Sequence, residues 1–414
     1  MENNQTQNPG EGIKEIYDML LELLKFIPDP LKTKIEKELQ MIKELIFDSR
    51  APRFVFIGRR GHGKSSLINA IFGEYVAKIG KVKSQTGKSI WHTYSNSKGS
   101  MEILDTRGLG EGSKPEEEYN EENELKEIKS SIKEKCPDVI IFICKATETD
   151  SRINEDIENL KELTKFISET HKYDIPILTV ATKADEVFPA SDRIPPFKNP
   201  EKLENIEAST DNLYKKVVAE FPQSTYKIAV CSYLEFDSEN KIMLDWRWNI
   251  DKLIELLLEH IPNSAHLMLA KISRIKSSQR KVAKTIVTAA GSICATIALE
   301  PIPGADLPFI TGVQLSMIIA IGYIGGHELN KKAAMEFMSA MGLNILGAFG
   351  LRELARGLVK LIPVGGSVIS ASIASAGTYA IGEAAISYFI DKKSKVDSKK
   401  EYDETLLKEK NKEK

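Results

Sequence analysis

The residues with the clearest chemical potential are Lys64 and Ser65, which close the run Gly58-Arg59-Arg60-Gly61-His62-Gly63-Lys64-Ser65, a complete G-x-x-x-x-G-K-S pattern. Glycines at these places let backbone N–H groups converge on a phosphate without interference from Cβ atoms. A helix beginning there turns its positive end toward the same anion. Gly58, Arg60, Gly61, His62, Gly63, Lys64, Ser65 and Ser66 are the expected phosphate-side contacts, with Lys64 reaching the β- and γ-phosphates and the Ser65 hydroxyl holding Mg2+. Further along, Asp105-Thr106-Arg107-Gly108 offers a carboxylate to the same Mg2+ at Asp105 and a backbone N–H at Gly108 that senses a terminal phosphate. Thr182-Lys183-Ala184-Asp185 offers a carboxylate able to accept two N–H bonds from guanine. Adenine presents the wrong donor and acceptor arrangement there, and leaving buried polar groups unpaired is costly. The Lys183 stem suits the face of a base plane. Cys231-Ser232-Tyr233 would form the far wall, with Ser232 at the nucleotide.

Such residues need strands to end beside one another. The apolar run Phe54-Val55-Phe56-Ile57 precedes the glycine loop, and Ser66 to Phe72 has a helical pattern, so the local order is strand, loop, helix. Further candidate strands are Ser89–Ser95, Ser100–Asp105, Asp138–Cys144, Ile175–Thr182 and Lys227–Ser232, several of them separated by helical stretches. That alternation predicts an α/β fold with a mostly parallel sheet covered on both faces, whose ligands bind at the carboxyl ends of the strands. Every motif named above falls at such an end. The acid-rich segment Gly110 to Glu127 reads as a solvated loop. Glu186 to Gln223, with Pro189, Pro195, Pro196 and Pro200, reads as a long insertion beside the base pocket that declares no chemistry.

The flanks are different in kind. Ile13, Ile16, Leu20, Leu23 and Leu24, then Ile35, Leu39, Ile42, Leu45 and Ile46, recur at helical spacing on either side of Pro28-Asp29-Pro30. They predict an N-terminal helical hairpin over residues 1–50 that packs on something else in the chain. The α/β region would occupy 51–262, an all-helical hydrophobic region 263–393, and a charged, disordered tail 394–414. In the third region, Lys271, Arg274, Lys276, Arg280, Lys281 and Lys284 precede an uncharged stretch from Thr285 to Leu299. Leu307–Gly326 and Leu361–Gly382 are also uncharged and long enough to cross a bilayer. A membrane lipid surface met through 271–390 is therefore one expected partner, and a bundle whose central helices are apolar all round is the other reading. Asp306, Gln314 and Asn344 weigh against a full crossing and favour shallow association.

Composition narrows the classes. A formal net charge of −2 excludes a surface built to coat nucleic acid, and no specific nucleic acid is expected as partner. The four cysteines, Cys136, Cys144, Cys231 and Cys294, show no paired spacing and read as buried thiols of a reducing compartment. The amino-terminal residues lack a basic and then apolar leader. The expected location is cytoplasmic, peripheral at or inserted in the inner face of the membrane.

Taken together, the glycine loop, Asp105 to Gly108, Thr182 to Asp185 and Cys231-Ser232-Tyr233, in that order over about Arg53 to His260, resemble the translation-factor-related small GTPases, especially the Era-like and septin-like proteins and the immunity-related GTPases. The resemblance implies a P-loop G domain that binds GTP or GDP with Mg2+ and hydrolyses GTP. It also implies that Thr86 completes the Mg2+ coordination, so that Ser65, Thr86 and Asp105 form the metal set and Lys64, Thr86 and Gly108 the catalytic one. Leu109 stands where Ras-like proteins carry the water-orienting glutamine, and Gly61 where potassium-assisted relatives carry asparagine. Slow hydrolysis, raised by a nucleotide-dependent homodimer or another partner, follows, with Arg59 or Arg60 as candidate neutralisers of developing charge. Residues from about Glu300 to Ile390 resemble a bacterial helical domain of unknown function often fused to such GTPases. The expected function is a nucleotide switch or dynamin-like mechanoenzyme at a membrane, against a ribosome-assembly GTPase or a scaffold with negligible hydrolysis.

Overall fold

The computed structural model describes residues 18–77 except 19, 23 and 26, together with 91–105, 121–149, 153–299, 306–327, 331–341 and 371–411. They gather into two compact units, one formed by Met1–Arg50 with Ile275–Lys414, the other by Ala51–Arg274. The first helix, α1 (Asp29–Ile42), begins at Pro28, with a further proline in its first turn, where a fixed φ and a missing N–H do no harm. It runs into a π-helical turn at Lys43–Phe47. Leu31, Ile35, Ile42, Leu45 and Ile46 are buried along it.

The Ala51–Arg274 unit alternates strands and helices: β1 (Arg53–Ile57), α2 (Lys64–Phe72), β2 (Trp91–Asn96), β3 (Gly99–Asp105), α3 (Glu121–Glu134), β4 (Val139–Lys145), α4 (Ile153–His171), β5 (Ile177–Thr182), α5 (Pro200–Val218) and β6 (Thr225–Ala229). A hairpin of β7 (Leu234–Phe236) and β8 (Ile242–Asp245) follows, then α6 (Ile250–His260) and α7 (Asn263–Ser273). The sheet runs β2-β3-β1-β4-β5-β6, parallel throughout except for β2 at the edge. This is the expected mostly parallel α/β sheet of a P-loop G domain. β5, written Ile-Leu-Thr-Val-Ala-Thr, is buried at every position because helices cover both faces of a parallel sheet. Edge strand β2 is exposed or half-exposed along its whole length. The register pairs Phe56 with Asp105, Ile57 with Phe142 and Lys145 with Thr182, so the strands end at one level.

Two sequence expectations change. The stretch after Glu186 is not simply an insertion, because half of it is α5, started by Asn199, whose side chain accepts the Glu201 N–H, and by Pro200. By its contacts α7 belongs with the sheet, in the unit that runs to Arg274. At Gly99, the first residue of β3, a Cβ would stand 2.3 Å from Met268 Sδ and 3.0 Å from an Ile272 methyl, so α7 is seated on the sheet. Arg274, just past that helix, pairs with Glu74, which Lys98 and Asn96 also hold. The segment read as a disordered tail forms α12 (Lys395–Asn411), with Tyr402 and Ser398 buried.

In the other unit α1 packs against α8 (Lys276–Leu299), and α8 also packs against α9 (Asp306–Ile324) and α11 (Ala371–Ala385). A short α10 (Lys331–Ala340) lies between the last two in sequence, and a π-helical turn at Ile386–Ile390 leads from α11 to α12. The N-terminal helix thus finds its partner in the C-terminal half of the sequence. Among the described residues one helix, Lys276–Ala298, is long and apolar enough to cross a membrane by length and composition, and 61% of its apolar window is buried inside the fold. Several polar side chains within the bundle are bonded: Gln314 Nε2 donates to Thr378 Oγ1 at 3.0 Å, the Thr378 hydroxyl to Ala374 O at 2.8 Å, and Gln279 Nε2 to Ile324 O at 2.8 Å. Of the basic stretch, Arg280 is paired with Asp391.

Small residues set the helix spacing. A Cβ on Gly382 would lie 2.4 Å from a methyl of Val287, and one on Gly291 2.7 Å from the Tyr379 ring. Alanine for glycine inside a helix ordinarily stabilises by up to about 1 kcal/mol. Here the sign reverses: Gly382→Ala is expected to cost about 1–3 kcal/mol through overpacking, and adding Val287→Ala should recover part of it. Thermal melts of the two single variants and the double variant check this.

Candidate functional site

The glycine loop leaves β1 and crosses directly over β4. A Cβ on Gly58 would stand 2.4 Å from the carbonyl oxygen of Ile143, so no other residue fits this passage without moving the strand. Gly61 and Gly63 adopt φ of 85° and 90°, left-handed conformations that glycine takes without strain. Gly63 caps α2, which places the N–H groups of the helix's first turn, Lys64 to Ser66, at the loop. Lys64 Nζ folds back to the carbonyl of Gly58. Arg60 and Gly61 are exposed, and Lys64, Ser65 and Ser66 half-buried, so the loop presents an open, cationic rim.

The His62 ring does not face the open side of the loop. Its side chain is 7% exposed and turns behind the loop, where Nδ1 lies 3.2 Å from Ile143 O and Nε2 3.3 Å from Glu148. Two acceptors flank one ring. Glu148 also meets Lys145, which reaches Glu186, which in turn pairs with Lys183. Partial burial raises the Glu148 pKa, but the Lys145 hydrogen bond and the charges of Lys145 and His62 outweigh it, so the group lies below its ordinary value. Arg59 is likewise anchored: its Nε donates to Asp156 at 3.1 Å from α4. Burial pushes the Asp156 carboxyl up, and Arg59 only partly offsets that. Of the two loop arginines, it is Arg60 whose side chain stands in solvent.

The base-side loop follows β5. Thr182 Oγ1 donates to His62 O at 2.6 Å and lies 3.3 Å from Cys144 O, so the threonine ties β5 to the phosphate loop. Lys183 sits at φ 55°, and its αL turn brings Asp185 round with its side chain 6% exposed. Asp185 Oδ1 accepts from Cys231 Sγ at 3.3 Å, and Arg193 Nε lies 3.8 Å from Oδ2. Burial pushes the Cys231 thiol up to about 12, which keeps it a donor. Ser232 is buried beside it and Tyr233 is 41% exposed, so the Cys231-Ser232-Tyr233 wall is in place.

For Mg2+, the Ser65 hydroxyl stands in the first turn of α2, and the backbone of Asp105 ends β3 in register with Phe56 of β1. Hard oxygen donors of this kind suit Mg2+. Thr86, Gly108 and Leu109 lie outside the described residues. Two contributors escaped sequence reasoning. Asp156 looks like one more acid on an amphipathic helix, and Lys202 like one more lysine in a charged one. Yet Lys202 is fully buried, with Nζ donating to Asp185 O at 2.9 Å and to Val187 O at 2.7 Å. No local pattern marks either residue.

Comparison with known proteins agrees with this geometry. Residues 53–183 match the model of the 50S ribosome-binding GTPase family, and residues 264–411 that of a domain of unknown function, DUF697. GTPase Der of Chromobacterium violaceum is 31% identical over 121 residues, covering 29% of this chain and 22% of its own. GTPase Der of Bacteroides fragilis (strain YCH46) is 27% identical over 182 residues, 43% of this chain and 36% of its own. Translocase of chloroplast 34 of Pisum sativum is 31% identical over 96 residues, 23% and 29% respectively. The chain therefore spans well under half the length of these relatives. Among solved structures, Toc33 from Arabidopsis thaliana in complex with Mg2+ and GMPPNP covers 56% of this chain and 92% of its own at 19% identity, with a TM-score of 0.33. Era in complex with MgGDPNP and a 16S ribosomal RNA fragment covers 59% and 67% at 18% identity, with a TM-score of 0.32. One chain thus joins a segment that matches the 50S ribosome-binding GTPase family, residues 53–183 with Lys64 and Ser65 inside it, to a segment that matches DUF697, residues 264–411.

Proposed function

We propose that the chain binds GTP and GDP with Mg2+, hydrolyses GTP slowly, and works as a nucleotide switch whose effector is the helical unit. The observation that carries the reading is the hydrogen bond from Thr182 to His62 O, which holds the guanine-type loop of β5 against the phosphate loop of β1. One nucleotide bridging the two would have its phosphates at Lys64 and Ser65 and its base at Asp185. Lys64 and the N–H groups of α2 neutralise phosphate charge, and Ser65 and Asp105 hold Mg2+, which supplies further neutralisation of the terminal phosphates. Thr86 and Gly108 complete the catalytic set proposed from the sequence.

Slow turnover rests on Leu109, an apolar side chain at the water-positioning place. The missing group would come from a second copy of the chain or another partner. Arg60, exposed on the loop rim, suits such an encounter, while Arg59 is occupied by Asp156. The helical unit would meet the inner membrane surface, supported by the apolar helix Lys276–Ala298 and the lysines at its start. Flotation with vesicles containing anionic lipid, with GTP and with GDP, tests that assignment. Recovery only at the bottom of the gradient in both states removes the membrane from it.

Three outcomes are expected of the site. Lys64→Ala should weaken GDP binding about 10- to 100-fold through loss of a charged donor, read by titration calorimetry. Asp185→Asn should lose guanine affinity and gain xanthine affinity, since an amide donates to the xanthine C2 oxygen where a carboxylate repels it. Competition between GDP and XDP measures the shift. The GTP turnover per molecule of protein should rise with protein concentration. A rate per molecule that stays constant over a hundredfold dilution series would rule out self-activation.

A further inference from the structure

Lys202 has 0% of its surface exposed, one of the least common environments for an ammonium group. Its three N–H donors nevertheless have partners: Asp185 O at 2.9 Å, Val187 O at 2.7 Å, and the face of the Phe197 ring, 4.8 Å from its centroid. Phe197 is itself backed by Trp248, edge to face at 5.0 Å. The lysine stands in the first turn of α5, and that turn is seated from outside by Asp192, whose Oδ2 accepts the N–H groups of Lys198 at 2.7 Å and Asn199 at 2.9 Å.

The backbone it grips is the turn that presents Asp185. Within that turn, Glu186 N–H donates to Lys183 O at 2.9 Å, Val187 N–H to Ala184 O at 3.3 Å, and Ala184 N–H to Val230 O at 3.2 Å. These bonds use the turn's N–H groups and the carbonyls on its near side. The carbonyls of Asp185 and Val187, on either side of Glu186, point the other way, and Lys202 takes both. We infer that Lys202 is the positioning residue that fixes the Asp185 carboxylate for guanine, so the helix after the base loop sets nucleotide specificity without touching the nucleotide. The inference rests on the guanine reading of the site. Burial lowers the Lys202 pKa, and the charges of Asp192 and Asp185 oppose that, which fits an ammonium held among acceptors.

Fixing the turn matters because guanine offers two N–H groups, at N1 and at the 2-amino group, to two carboxylate oxygens. Both bonds form only if the carboxylate plane is held. Hypoxanthine has the first N–H and lacks the second, so the ratio of GDP to IDP affinity measures the alignment of that second bond, while overall affinity does not.

The test is that ratio, measured by competition against a fluorescent GDP analogue in the full chain with Mg2+. The wild-type protein is expected to prefer GDP over IDP by about tenfold, the worth of one charge-assisted bond. Lys202→Met, similar in volume and without donors, should bring the ratio close to one. If it does not fold, judged by its circular dichroism, Asp192→Ala at the loop surface takes its place and should also narrow the ratio by loosening the first turn of α5. A folded variant that weakens GDP and IDP in equal proportion would overturn the positioning role and leave Lys202 a purely structural residue. Asp185→Asn separates the two claims. If it leaves GDP affinity and the ratio unchanged, the guanine reading itself falls; if it collapses the ratio while Lys202→Met does not, only the role of Lys202 falls.

Discussion

The phosphate loop has to pass between strand ends packed at van der Waals distance, and the rest of the site is arranged around that passage. Gly58 has no Cβ because the Ile143 carbonyl occupies the place where one would be. The same carbonyl faces His62 Nδ1, and the His62 carbonyl in turn accepts the Thr182 hydroxyl. Consecutive strands of the sheet, β1, β4 and β5, are thereby joined across their carboxyl ends by contacts from a single eight-residue loop. In a parallel sheet those ends carry loops rather than ladder bonds, so a side-chain lattice of this kind is what holds them at one level.

Charge completes the lattice. Glu148, Lys145, Glu186 and Lys183 alternate in sign from beside the His62 ring behind the phosphate loop to the base loop, and Arg59 and Asp156 form a second pair on the α4 side. Several of these groups are half-exposed, and single pairs of that sort are worth about 0–1 kcal/mol each. Their use lies in geometry. The chain of pairs connects the two loops that one nucleotide must bridge, and it keeps Arg59 turned inward. Cationic character at the rim is left to Lys64 and Arg60.

Much of this was legible from sequence because phosphate chemistry demands particular residues at fixed spacing. Gly58 to Ser65, Asp105 and Thr182 to Asp185 could be placed at strand ends before any coordinates, and the sheet follows from buried runs such as Ile140 to Cys144 and Ile177 to Ala181. What was not legible depends on contacts distant in sequence. His62 has the motif position of a phosphate neighbour, and only the fold shows its ring turned toward Ile143 and Glu148. Lys202 is chemically ordinary until Asp185, Val187 and Phe197 surround it. The prolines from Pro189 to Pro200 suggest an irregular loop, yet Pro200 is the first residue of a helix. The boundary after Arg274 is hidden because α7 is continuous with the hydrophobic region in composition, and is included in the match that begins at residue 264, while its Met268 and Ile272 rest on Gly99.

The pairing of α1 with α8 makes the helical unit discontinuous along the chain, with the whole of Ala51–Arg274 inserted between its two parts. Such an arrangement imposes an order of assembly. During synthesis α1 emerges first and has no partner until α8 has left the ribosome, whereas the inserted unit already contains everything it needs. Joining two segments through a long flexible loop carries an entropic cost that rises with the logarithm of its length. Once the insert has folded, the loop is a rigid spacer and that cost falls. Folding of the inserted unit therefore lowers the entropic cost of bringing α1 to α8.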